Sequence, residues 1–199
     1  MSYTTITGSK VTRDYRETAI EAMHQFKEVA LANGAARVRS GTFMTGSNVN
    51  TFVQINFFDT MAGVESTYAA FSNAPITKQV QASGKFEIFR RGILRESVHF
   101  GTPGSTGAKF FVFTIAKSEH PIEDEVKEFG NVLAENGATG GRLGKFIMGD
   151  YADGKTYLLR MGYPSLSAVQ SAYDAIPADI ADKIYKLASV QRRQLIRLF

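Results

Sequence analysis

Few side chains in this chain can do chemistry, and most of those come in matched pairs. Histidine occurs three times, as His24, His99 and His120, and cysteine and tryptophan are absent. His99 is the odd one out. Val98-His99-Phe100 prolongs the segment Arg90-Arg91-Gly92-Ile93-Leu94-Arg95, whose near copy is Arg192-Arg193-Gln194-Leu195-Ile196-Arg197, and the equivalent of His99 would lie past Phe199. An imidazole titrates near pH 6.5, so His99 at a strand end is a candidate catalytic base. The other reading is a solvated strand end. His24 falls in a helical stretch and His120 just before one, and both read as exposed.

The arginines Arg39 and Arg142, Arg91 and Arg193, and Arg95 and Arg197 recur in equivalent places. Arg39, Arg142, Arg91 and Arg193 are candidate substrate-binding residues, because a guanidinium facing a closed cavity can hold a carboxylate or enolate through two parallel hydrogen bonds. Pairing with acids on neighbouring strands is the alternative, and symmetry favours it. Gln54 and Asn56 complete the candidate set. They alternate with Val53, Ile55 and Phe57, and a helix-covered face should be the more uniformly apolar one. That places Val53, Ile55 and Phe57 under helices and turns Gln54 and Asn56 to a cavity. Arg160, which aligns with Ile55, fits this scheme only if its stem carries the charge to water; otherwise the faces are reversed.

Other chemistry is pruned by what is missing. Without cysteine there is no disulfide, thiolate zinc site, iron–sulfur cluster or cysteine nucleophile. No HExxH, phosphate-binding loop or strand-following GxGxxG occurs, so no metal site is expected. The net charge of +4 is spread along 199 residues with no basic block, so nucleic acid is not an expected partner. No apolar run reaches the roughly 18 residues of a membrane helix, and Met1-Ser2-Tyr3-Thr4-Thr5 lacks the basic and apolar regions of a leader. The expectation is a cytoplasmic protein whose partner is a small hydrophobic or anionic molecule, with no membrane contact.

The elements that would position these residues also come twice. At a separation of 103, Phe26 matches Phe129, Asn33-Gly34-Ala35 matches Asn136-Gly137-Ala138, and Arg39, Gly41, Phe43 and Gly46 match Arg142, Gly144, Phe146 and Gly149. After the turns at 47–50 and 150–154 the separation becomes 105, pairing Thr51 with Thr156, Val64 with Val169 and Tyr68 with Tyr173. Insertions are tolerated best in such turns. Each copy reads as a strand, an amphipathic helix, a two-stranded hairpin, a second helix opened by Thr60 or Ser165, and a closing strand. The first strand, within Ser2 to Arg13, is interrupted by Gly8. This predicts a first repeat over residues 1–100, a small and polar linker over 101–107, and a second repeat over 108–199.

The order β-α-β-β-α-β is the ferredoxin-like unit, whose helices lie on one face of an antiparallel sheet. The bare face must be covered, and two units packed sheet to sheet would cover each other and leave a space between. On this order, the duplication and segments such as Tyr163-Pro164-Ser165-Leu166-Ser167-Ala168-Val169, the chain resembles the dimeric α/β-barrel superfamily, especially its NIPSNAP-like and antibiotic-biosynthesis-monooxygenase-like branches. The resemblance implies an α+β fold, two tandem ferredoxin-like repeats forming an intramolecular dimeric α/β barrel. It also implies a choice of activities: cofactor-free oxygenation of quinol-like aromatics, haem degradation, lactone isomerisation, or none. The haem-degrading pattern combines Asn, Trp and His. Without tryptophan the expectation is no cofactor, with haem as the alternative. A cofactor-independent monooxygenase-like enzyme and a non-catalytic binding barrel both stay open, as does a homodimer of the fused barrel.

Overall fold

The computed structural model describes residues 2–101 and 107–199. Its first half runs β1 (Tyr3–Val11), α1 (Arg16–Ala32), β2 (Arg37–Phe43), β3 (Phe52–Phe58), α2 (Met61–Asn73), α3 (Pro75–Ser83) and β4 (Phe86–Gly101). The second half repeats that order as β5 (Phe110–Lys117), α4 (Glu123–Glu135), β6 (Gly140–Gly149), β7 (Thr156–Tyr163), α5 (Leu166–Asp174), α6 (Ala178–Leu187) and β8 (Ser189–Leu198). The expected linker, apart from its ends Gly101 and Gly107, lies outside the described residues.

Local chemistry accounts for most boundaries. Thr60 and Ser165 cap α2 and α5 by accepting from the backbone N–H of Gly63 and Ala168, both at 3.1 Å. Glu123, Asp124 and Glu125 occupy the first turn of α4, where the helix dipole favours acids. The sequence suggests one helix before each closing strand; the structure has two. Proline explains the difference. Pro75 stands at the first position of α3 and Pro177 at the N-cap of α6, and the residue before a proline leaves the helical region. The interruption expected in β1 is a register shift between Gly8 and Ser9 against β4.

All strand pairs are antiparallel, in the order β1-β3-β2-β8-β5-β7-β6-β4, and β4 pairs back onto β1. The halves therefore meet edge to edge as well as face to face. The two seams differ in length. β4 runs beside β6 from Gly92 to Gly101, whereas β2 meets β8 only over Gly41–Phe43.

The faces of the sheet are the reverse of those expected. Val53, Ile55 and Phe57 point away from the helices, into a cluster with Phe43, Leu94, Phe113, Phe146, Leu158 and Ile196. Every strand adds a residue to this inner face, Ile6 supplying that of β1. The space expected between the sheets is thus packed with side chains, and the inner pocket lined by Ile6, Val53, Phe113 and Tyr151 holds only about 50 Å³. The physical reason is that the inner face is covered on both sides by sheet, so it is the drier one and takes the aliphatic row. Gln54 and Asn56 consequently lie under the helices.

The helix-covered faces are packed unequally. In the second half, Ile122, Val126, Phe129 and Leu133 of the α4 segment join Leu143, Tyr157, Leu159, Met161 and Ala172 in one continuous cluster. In the first half the corresponding core is split in three, around Ala30 and Phe58, around Ala22 and Val80, and around Met23 and Phe52.

Candidate functional site

A cavity of about 310 Å³ sits where those three small clusters would otherwise meet. Its roof is mostly apolar, with Met23 and Phe26 of α1, Phe71 of α2 and Val80 of α3, and α3 adds the polar Thr77 and Gln81. Thr7 and Ser9 of β1 and Gln54 of β3 form a polar floor, and Arg91 of β4 stands at the rim. Gln54 is buried and donates through Nε2 to Asn56 Oδ1 at 2.9 Å, and Asn56 donates to Thr5 Oγ1 at 3.1 Å. These bonds lock the floor and leave Gln54 its second Nε2 hydrogen as a donor to an oxygen of a guest and its carbonyl oxygen as an acceptor. Arg91 lies over the Tyr68 ring, its guanidinium carbon 4.9 Å from the ring centre. Burial pushes the Tyr68 phenol up, with the Arg91 charge opposing, so this hydroxyl stays protonated at neutral pH.

Strand register identifies the same place in the second half. Thr7 pairs with Gln54 and Arg91, and Thr114 pairs with Leu159 and Arg193, so Gln54 corresponds to Leu159 and Arg91 to Arg193. By the same register Thr5, Ser9 and Asn56 correspond to Val112, Ala116 and Met161. Four polar floor positions of the first half are thus apolar in the second. There the pocket beneath α4 and α6 shrinks to about 30 Å³. The arginine and tyrosine persist: Arg193 lies 5.0 Å from the Tyr173 ring centre and donates to Thr114 Oγ1 at 3.3 Å.

Of the residues nominated from sequence, Gln54, Asn56 and Arg91 are therefore together, and Arg193 is their counterpart across the molecule. Arg39, Arg142 and His99 belong elsewhere. His99 is eight positions beyond Arg91 on β4, roughly 26 Å at ~3.3 Å per residue, too far to serve a guest held by Arg91. It pairs across strands with Arg142, at one end of the inner face near Arg160, Arg37 and Glu96. Burial and the Arg142 charge hold its imidazole below the usual range. Thr5, Thr7 and Ser9 were missed in sequence, although a polar-for-apolar exchange between repeats, Thr5 for Val112 and Ser9 for Ala116, would have marked two of them; Thr7 matches Thr114 and leaves no such mark.

A family model described as Domain of unknown function (DUF6854) matches residues 2–96, the half that contains the cavity. No curated protein matches the chain. Among solved structures, a candidate monooxygenase of Lactobacillus acidophilus NCFM is similar at TM-score 0.70 and 14% identity, over 100% of this chain and 93% of that one. A candidate monooxygenase of Fusobacterium nucleatum gives TM-score 0.69 and 12% identity, covering 99% and 92%. A haem-binding protein of Thermus thermophilus gives TM-score 0.60 and 6% identity, covering 100% and 91%. At such identities the likeness shows the α+β, ferredoxin-like fold: an eight-stranded antiparallel sheet with six helices among the described residues. No helix among those residues is long and apolar enough to cross a membrane.

The haem-binding neighbour prompts a test of fit. None of the three histidines lines the cavity. His24 is exposed on α1 with its ring edge-on to Phe199, His120 precedes α4, and His99 lies at the far end of β4. The residues present do not fit a histidine-ligated haem in this cavity.

Proposed function

We propose that the protein binds a small aromatic or quinol-like molecule beneath α1, α2 and α3, with an oxygen of the guest turned toward Arg91 and the Gln54 amide. The observation that carries this reading is the contrast between halves. One position in the fold is filled by apolar side chains in the second half and kept open over a polar floor in the first. An open apolar cavity costs stability, and one with a few convergent polar groups and a volume at the lower end of the ligand-pocket range is what a small planar guest requires. The likeness to monooxygenase-type structures supports cofactor-independent oxidation of that guest. Arg91 would stabilise its phenolate or enolate, the electron-rich form that reacts with oxygen.

A second reading, binding without catalysis, is favoured by one observation: no carboxylate or imidazole lines the cavity to take a proton. Under the enzymatic reading deprotonation falls to solvent, and turnover rises with pH until the guest is ionised. We also infer that residues 1–100 and 108–199 are two copies of one unit whose sheets close into a barrel, the strand order being that of two ferredoxin-like sheets joined at both edges.

The test is calorimetric titration with a panel of hydroquinones and anthrones, run in parallel in an oxygen electrode. Saturable binding is expected, together with a loss of at least tenfold in the Gln54→Leu/Asn56→Met variant, which gives β3 the floor residues of β7. Oxygen uptake with a bound quinol supports the enzymatic reading; binding without uptake supports the other. Equal affinity in wild type and variant would remove the cavity from consideration.

A further inference from the structure

A second group of polar side chains lies at one end of the inner face, remote from the cavity. Arg160 of β7 is 3% exposed and donates through Nη2 to both carboxylate oxygens of Glu96 on β4 at 2.5 Å, Glu96 being wholly buried in its side chain. The other nitrogens of Arg160, Nε and Nη1, are buried and have no hydrogen-bond partner among the described residues. Such donors are costly to leave unmet. Their surroundings raise the cost. Arg160 stands directly opposite Arg142 in the β6–β7 register, a like-charge pair across strands. The guanidinium carbons of Arg37, Arg142 and Arg160 lie 5.1, 5.0 and 5.6 Å from the centre of the Phe57 ring, so one aromatic side chain gathers three cations.

The charges do not balance. Arg37, Arg39, Arg142 and Arg160 face Glu96 and the exposed Asp59, which leaves two positive charges in excess. Burial, and after it neighbouring cations, hold Arg37 and Arg142 below the usual guanidinium range and His99 below the usual imidazole range, so His99 does not add to the excess at neutral pH. The cluster draws on β2, β3, β4, β6 and β7, and thus on both halves. Ile55 and Leu198 occupy the positions that correspond to Arg160 and Glu96 in the other half, so the pair occurs once.

We propose that this end of the inner face is a binding site for a small oxyanion carrying two negative charges, a phosphate or a dicarboxylate. Arg142 and Arg37 grip it from the solvent side, the unpaired donors of Arg160 meet it from within, and Glu96 fixes the Arg160 fork. Planar guanidinium groups suit carboxylate and phosphate oxygens alike. The site is distinct from the cavity beneath α1, α2 and α3, and its ligand does not depend on what that cavity holds.

The test is titration of the whole chain at pH 7.5 with inorganic phosphate and, separately, with malonate, by calorimetry and by thermal denaturation, with sodium chloride at matched ionic strength as the control. One equivalent of phosphate or malonate is expected to bind saturably and raise Tm, and chloride is not. Whichever of the two binds more tightly names the oxyanion chemistry. Arg142→Gln and Arg37→Gln are each expected to weaken binding at least tenfold, while Lys186→Gln, an equal loss of charge on the exposed face of α6, leaves it unchanged. Arg142→Lys keeps charge and stem and guards against a folding defect; it is expected to lose binding severalfold, because an ammonium cannot supply the fork. Absence of saturable binding by both probes overturns the proposal, as does equal affinity in Arg142→Gln and Lys186→Gln.

Discussion

At the scale of single residues, the cavity floor turns on Gln54. Leucine occupies the matching position of the second half, so Gln54→Leu is a conservative change in volume that removes one buried hydrogen bond, at a cost of about 1 kcal/mol in stability. Its effect on a guest bearing an oxygen should exceed its effect on folding, and parallel calorimetry and denaturant titration separate the two. His99 makes a different prediction. Its folded-state pKa lies below the unfolded value near 6.5, so the unfolded chain takes up the proton first and stability falls as pH drops through that window. His99→Gln lacks this loss. Between pH 7.5 and 5, urea midpoints of wild type and variant should diverge in the variant's favour. The candidate residues themselves were legible in the sequence because they are polar in apolar strands. Their grouping was not. Strand alternation says that Gln54 and Ile55 face opposite ways, but which way is settled by what covers each face, and only the assembled strands show that the Val53, Ile55 and Phe57 row packs with Phe113, Leu158 and Ile196 of the second half.

Elements were read more reliably, because their determinants are local. The caps at Thr60 and Ser165 and the turns at 47–50 and 150–154 act within a few residues, and each stands where the sequence indicated. The extra helices α3 and α6 were marked by Pro75 and Pro177, a signal that was present but not used. Two element-scale predictions follow from contacts that no periodicity carries. Gly130 is mid-helix in α4, where alanine would ordinarily help by about 1 kcal/mol. A Cβ there, however, would overlap the ring of Phe100, itself 2% exposed. Gly130→Ala should therefore destabilise by about 1–3 kcal/mol, measurable as a lowered denaturation midpoint. In the β6–β7 turn, Asp153 accepts from the backbone N–H of Lys155 and Thr156 at 3.0 and 2.9 Å and pairs with Lys117 at 2.8 Å. Lys117 foremost, with these bonds, holds its carboxyl well below the usual carboxylate range. Its contribution is fully present above about pH 4 and is lost as pH falls through the depressed value. Asp153→Asn should thus be less stable than wild type at pH 7, and the difference should shrink only in strong acid.

For the whole molecule, the order of strands and helices was the part of the fold most visible in the sequence, whereas the register at which the halves join was hidden. Edge pairing joins residues 39 to 57 positions apart at one seam, from Gly101 with Gly140 to Gly92 with Gly149, and 153 to 157 at the other, and leaves no periodic trace. It does set what each half can do alone. Residues 1–101 by themselves would expose the β2 and β4 edges and the Val53, Ile55, Phe57 row, so expressed separately they should self-associate or aggregate and not persist as a folded monomer, which light scattering would show. The unequal seams carry the same point into synthesis. The strand that pairs with β4 is made roughly 40 residues after it, but β2 has to wait for β8, about 150 residues later. At ~5–20 residues per second the β2 edge stays uncovered on the ribosome for about 8 to 30 s. For that interval the emerging chain presents a bare strand beside an apolar face, and the three-residue contact of Gly41–Phe43 with Ile196–Leu198 is the last clasp to shut.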